Sequence, residues 1–130
     1  MSAATASFVL FAHGSRVESA NDSVRSLASR MAAACGHAVE PAFLELGTPD
    51  LSAAVAHLKA MGGDRIIVIP YFLTLGTHLQ RDLPRLASEA AREHPDLTIE
   101  VLPPLDGHPA LLQALLETAN TALQATRDAV

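Results

Sequence analysis

The chain has no tryptophan, one tyrosine and four phenylalanines, so its core is expected to rest on Ala, Leu, Val and Ile rather than on aromatic anchors. It has one cysteine, Cys35, which excludes an internal disulfide and any multi-cysteine metal cluster. Cys35 falls on the apolar spacing of a helix, which predicts a buried, inert thiol. No run of basic residues occurs, and a formal net charge of -5 over 130 residues argues against general nucleic-acid binding, which needs a basic surface. An acidic ligand would have to be met by local positive charge. The opening Met1-Ser2-Ala3-Ala4-Thr5-Ala6 has no basic region, and the apolar run behind it is too short for a secretory signal. No segment is long enough to span a membrane, and a cytoplasmic protein is expected. Gly-x-Gly-x-x-Gly and Walker patterns are both missing, which argues against dinucleotide or ATP chemistry. Gly14-Ser15 is no nucleophile elbow, because that turn has glycines on both sides of its serine.

What the chain does contain is a regular alternation of apolar runs and helical stripes. Residues 8–12 read as a strand without polar alternation, as expected when both faces are covered. Val24, Leu27, Ala28, Met31 and Cys35 form one helical stripe, stopped by Gly36. Residues 38–46 read as a second strand. Thr48-Pro49-Asp50 then predicts a helix start, with Thr48 capping and Pro49 in the first helical position. Leu51, Val55 and Leu58 make that helix's stripe, and Gly62-Gly63 ends it. Ile66-Ile67-Val68-Ile69 is the purest strand. A third helix carries Leu83, Leu86, Ala87 and Ala90; because Pro84 suits only a helix start, its regular part is expected from about Asp82. Residues 98–102 form a fourth strand. A last helix opens at His108-Pro109 and is expected to bury Leu112, Leu115, Leu116, Ala119 and Leu123.

Four β-α units with short connections predict one domain over residues 1–130: a three-layer α/β fold on a parallel four-stranded sheet. Pro41 in the second strand and Glu100 in the fourth mark edges, which gives the flavodoxin-like strand order 2-1-3-4. The chain then reverses direction between the first and third strands, and ligands bind at such a reversal.

Two histidine motifs lie past these central strands, His13-Gly14-Ser15 and Gly76-Thr77-His78. Two neutral imidazoles there can hold a transition metal or move protons; singly, each also fits a loop histidine bonded to a neighbouring carbonyl. Glu45, at the end of the second strand, can complete a His/Glu/His set or accept protons, or it is a solvated carboxylate. Asp82, four residues after His78, fits either an imidazole-orienting partner or a helix cap. His37, His57 and His94 read as structural, and His108 as a helix-start residue.

With these residues in place, the chain resembles the small sirohydrochlorin chelatases of the class II chelatase superfamily. The matching segments are Leu10-Phe11-Ala12-His13-Gly14-Ser15-Arg16, Phe43-Leu44-Glu45-Leu46 with Pro49, and Pro70-Tyr71-Phe72-Leu73 running into Gly76-Thr77-His78 with Asp82-Leu83-Pro84. The closing Pro104-Leu105-Asp106-Gly107-His108-Pro109 belongs to the same pattern.

The resemblance implies a lyase that inserts cobalt or ferrous iron into sirohydrochlorin or a related tetrapyrrole, towards cobalamin or sirohaem. It places the metal-site histidines on His13 and His78 and the supporting carboxylate on Glu45. The metal is substrate, and no organic cofactor is expected. Arg16 and Arg81, each three residues after a site histidine, and Ser15 are candidates for holding the substrate's carboxylates; the arginines equally fit surface ion pairs. Longer family members look like two such halves in one chain, so the resemblance implies a homodimer. The C-terminal tail departs from the pattern of relatives that carry a histidine-rich tract. Three other readings compete: a non-catalytic metal or tetrapyrrole carrier using the same histidines, a hydrolase or phosphatase using His13, and a flavodoxin-like binding module.

Overall fold

The computed structural model describes residues 6–128, where strands and helices alternate: β1 (Ala6–Ala12), α1 (Glu18–Cys35), β2 (Val39–Phe43), α2 (Leu51–Ala60), β3 (Arg65–Pro70), α3 (Thr77–Glu93), β4 (Thr98–Val101) and α4 (Pro109–Asp128). The strands form one parallel sheet in the order β2-β1-β3-β4, as their composition predicts. Alternation along β1 divides the core. Val9 and Phe11 pack with α2 and α3 through Leu51, Val55, Leu58 and Leu83. Leu10 and Ala12 pack with α1 through Val24 and Ala28. Covering both faces removes the need for polar alternation, which explains the unbroken apolar runs of the central strands.

Pro41 shows why β2 must be an edge. The Leu44 N–H bonds back to Ala12 in β1, whereas the Phe43 N–H points outward to Pro49. By the period-two alternation of a strand, the nitrogen of Pro41 also faces outward, where its missing proton costs no ladder bond. Regular β2 ends at Phe43, earlier than residue 46. The chain turns away beyond it, with Leu46 in the left-handed region at φ 58.

Helix boundaries differ from expectation at two starts. Asp50, not Thr48, caps α2, its side chain accepting from the Ala53 N–H at 2.9 Å. Pro49 therefore precedes the helix, joined to Thr48 by a cis peptide. Helix α3 begins at Thr77 and runs straight through Pro84. A mid-helix proline costs about 3 kcal/mol, but Leu79, Leu83, Ala87 and Ala90 bury one continuous face, and each large apolar side chain buried returns about 1.5–3 kcal/mol. Packing thus overrides the local preference. Asp82 then lies inside the helix and is not its cap.

Two burial expectations fail. Gly36 does stop α1, at φ 75 with its N–H on Ala32 O, but Cys35 before it is exposed. An 18-residue helix is about 27 Å long, while a five-residue strand spans about 17 Å, so the last turn of α1 overhangs the sheet. The larger failure is α4. Leu112, Leu115, Leu116 and Leu123 are 62%, 68%, 48% and 64% exposed, and Ala119 is exposed too. The helix carries the expected stripe, yet among the described residues that stripe joins neither core cluster.

Candidate functional site

All four strands point their carboxyl ends at one edge, and the β1 and β3 loops leave it on opposite sides of the reversal point. Past β1 the ladder to β2 continues beyond the regular strands: the Leu44 N–H bonds to Ala12 O at 2.9 Å and the Glu45 N–H to His13 O at 3.1 Å. Gly14, at φ 95, lies so close to the Glu45 carbonyl that any side chain there would collide with it. The glycine of His13-Gly14-Ser15 is therefore required by close approach as well as by φ.

This backbone contact brings His13 and Glu45 together. His13 Nε2 stands 3.7 Å from Glu45 Oε1, with the side chains 53% and 58% exposed. The other ring nitrogen, Nδ1, lies 3.4 Å from Gly14 O; a proton held there leaves the Nε2 lone pair facing the carboxylate. One cation bound to both donors at about 2.1 Å would hold them roughly 3.0–3.4 Å apart, so a small side-chain movement closes the pair on an ion.

His78 is exposed in the first turn of α3. Among the described residues it has no hydrogen bond or ion pair, and no three His, Cys, Asp or Glu side chains are grouped to hold a metal. His13 and Glu45 are thus assembled, and His78 is presented separately, from the start of α3. Asp82 is paired with Arg85 at 3.8 Å.

The arginines divide in the same informative way. Arg25 is taken by Glu18 and Asp22, Arg65 by Glu100, and Arg85 by Asp82 and Glu89. Among the described residues Arg16, Arg30, Arg81 and Arg92 have no ion pair and are exposed; of these four, Arg16 follows β1 and Arg81 lies in the first turns of α3, beside the strand ends. Arg81 follows His78 by three residues on α3, which makes them neighbours on one helix face. Ser15 Oγ accepts from the Val17 N–H at 3.0 Å, ordering the turn into α1. Exposed Leu46, Tyr71 and Leu73 add apolar surface to the loops of this edge.

The remaining histidines have structural partners. His37 bonds Ala6 O and lies edge-on to Phe8. His57 meets Glu40 at 3.2 Å, and His94 meets Lys59 at 3.4 Å. His108 Nδ1 accepts from the Ala110 N–H at the start of α4.

Sequence reasoning missed Asn21. It is 1% exposed and hydrogen-bonds both the Ser15 backbone and Leu46 O, spanning the His13 and Glu45 loops. The signal was legible: Asn21, Val24 and Ala28 share the buried stripe of α1, so a polar residue occupies an apolar position.

Strand order and helices on both faces define a flavodoxin-like α/β protein, with an imidazole–carboxylate pair at the carboxyl ends of its strands. Within that class, the chain belongs to the CbiX family, whose model matches residues 7–122. It is 31% identical over 108 residues to the chloroplastic sirohydrochlorin ferrochelatase of Arabidopsis thaliana, covering 82% of this chain and 48% of that one. The CbiX protein of Marinobacter aquaeolei superposes with a TM-score of 0.82 at 28% identity, covering 92% of this chain and 98% of that one. The cobalt complex of the sirohydrochlorin chelatase SirB from Bacillus subtilis superposes with a TM-score of 0.72 at 25% identity, covering 78% and 44%. The chain thus spans less than half the length of the curated relatives it matches.

Proposed function

We propose that this protein is a sirohydrochlorin chelatase that inserts cobalt or ferrous iron into sirohydrochlorin or a closely related tetrapyrrole, on the way to cobalamin or sirohaem. The observation that carries this reading is the His13–Glu45 pair, held 3.7 Å apart at the ligand edge. Relatives named as sirohydrochlorin ferrochelatase and cobaltochelatase support the substrate, and the SirB structure in complex with cobalt supports the metal.

Insertion requires a site that holds an ion loosely and accepts the two pyrrole protons the ring gives up. Neutral His13 and His78 supply imidazole nitrogens suited to first-row divalent ions. Exposed donors leave coordination positions open for the ring nitrogens. Glu45, beside His13, accepts protons as the ring binds the metal. Unpaired Arg16 and Arg81, together with Ser15, meet the substrate's carboxylates, which an acidic protein cannot attract through its overall field. Leu46, Tyr71 and Leu73 offer apolar contact to the macrocycle.

The working unit is a homodimer of single-domain chains in the cytoplasm. Two observations support the second copy: the bare leucine stripe of α4 and the length of the ferrochelatase, of which this chain covers 48%.

The test is an anaerobic absorbance time course of sirohydrochlorin with cobalt or ferrous iron, with and without the protein. Acceleration over the spontaneous rate is expected. Tight spectral binding without acceleration would replace the enzyme by a tetrapyrrole carrier.

A further inference from the structure

Asn21 closes the first turn of α1, and both polar atoms of its side chain reach the neighbouring loops, with one further bond to Glu18 in the same helix. Its Oδ1 accepts from the Ser15 N–H at 2.9 Å. Its Nδ2 donates to Ser15 O at 2.9 Å, to Leu46 O at 2.9 Å and to Glu18 Oε2 at 3.2 Å. The amide therefore imitates a strand neighbour to Ser15 while holding the next loop with the same nitrogen. It is almost fully buried, so its polar atoms depend on these partners.

The position of this bridge matters. The β1 and β2 loops run side by side through Ala12 and Leu44, then His13 and Glu45, then Gly14 against the Glu45 carbonyl. Asn21 provides the last link, between Ser15 and Leu46. Leu46 adopts φ 58, a left-handed conformation that a leucine keeps only when its surroundings impose it. Gly47 leaves room for the bridge, because a Cβ there would meet Asn21 Nδ2 at 3.1 Å and the Phe43 ring at 2.9 Å. His13 and Glu45 thus lie between a ladder on one side and Asn21 on the other.

We propose that Asn21 is a positioning residue, which clasps the two loops together and thereby sets the spacing of His13 and Glu45. The consequence for metal rests on the function proposed above; the clasp itself does not. Groups that orient metal ligands from behind typically change affinity by about 10- to 100-fold when removed.

The experiment compares the wild type with Asn21→Ala, Asn21→Asp and Val55→Ala. Asp keeps the acceptor for the Ser15 N–H but places a carboxylate against two carbonyls. Val55 is buried in α2 and controls for lost stability alone. Two readouts are taken on the full chain: amide hydrogen exchange at Ser15 and Glu45 without metal, and the visible spectrum and affinity with Co2+ as the sole added ligand. Both Asn21 variants are expected to lose protection at Glu45, and Asn21→Ala also at Ser15, whose N–H acceptor only Ala removes; both should bind Co2+ about 10- to 100-fold more weakly and show an altered ligand-field spectrum. Val55→Ala should keep the wild-type spectrum. Unchanged protection of Glu45 in Asn21→Ala overturns the proposal, as does a wild-type Co2+ spectrum and affinity in Asn21→Asp where His13→Ala loses Co2+ binding. His13→Ala is the separate control: if it binds Co2+ like the wild type while the Asn21 variants lose protection, the clasp stands and the metal-site reading fails.

Discussion

Glu45 meets His13 at two points: its backbone N–H donates to the His13 carbonyl at 3.1 Å, and its carboxylate stands 3.7 Å from the His13 imidazole. The first contact sets the second. A hydrogen-bonded backbone leaves only the side-chain torsions to adjust, so the pair can tighten on an ion without moving the loops.

Removing the reacting groups should therefore abolish function without unfolding the protein. His13→Ala and His78→Ala are expected to reduce metal insertion to the spontaneous rate, and Glu45→Gln to slow it by about 10²- to 10⁴-fold as a proton acceptor is lost. All three side chains are exposed, and substitutions at such positions usually change stability by no more than about 0.5 kcal/mol. Urea unfolding alongside the anaerobic assay checks both halves. A variant that turns over normally sinks its residue's assignment.

Arg16→Ala and Arg81→Ala should act on substrate capture. Each removes an unpaired cation, so KM for the tetrapyrrole should rise while kcat changes little, the pattern of lost uniform binding. Raising the salt concentration should weaken the wild type towards the variants, because exposed charges are screened. A fall in kcat with unchanged KM would instead place these arginines in the insertion step.

Breaking the α4 stripe should change assembly. A double Leu115→Glu, Leu116→Glu substitution puts two charges on a face already exposed within one chain, so the single-chain fold loses little. Sedimentation velocity is expected to show a dimer for the wild type and a monomer of about half that mass for the variant. An unchanged sedimentation coefficient would mean that α4 is not the joining surface.

Acid should loosen the start of α1. The carboxyl of Glu18 is held below the usual glutamate range by its hydrogen bond from Arg25 first and from Asn21 second. A lowered pKa in the folded state favours folding above the unfolded value and loses that contribution as pH falls through the folded one. Arg25→Ala should move the Glu18 titration, followed by carboxyl NMR shifts, upward towards the ordinary value, and stability should become less pH-dependent in that acid window. An unmoved titration would show that Arg25 is not the cause.

Much of the fold was legible because its causes are local. The apolar runs, the glycine after Cys35 and the proline in β2 each report a backbone requirement that does not depend on distant residues. That His13, His78 and Glu45 lie towards one edge was legible for a related reason, since parallel strand ends share it; that His13 pairs with Glu45 while His78 stays apart was not. Asn21 was legible in principle, as a polar residue within an apolar stripe, but its partners at Ser15 and Leu46 are brought together only by the folded loops.

The sequence by itself determined the alternation of elements, the strand order and the edge carrying the histidines, since burial pattern and turn chemistry are written residue by residue. Tertiary structure alone decided three things. Packing of Leu79 and Leu83 carried α3 through Pro84, because burial outweighs one lost hydrogen bond. The mismatch between helix and strand lengths left Cys35 in solvent. The leucines of α4 stayed bare, because periodicity records that a face must be covered and not what covers it.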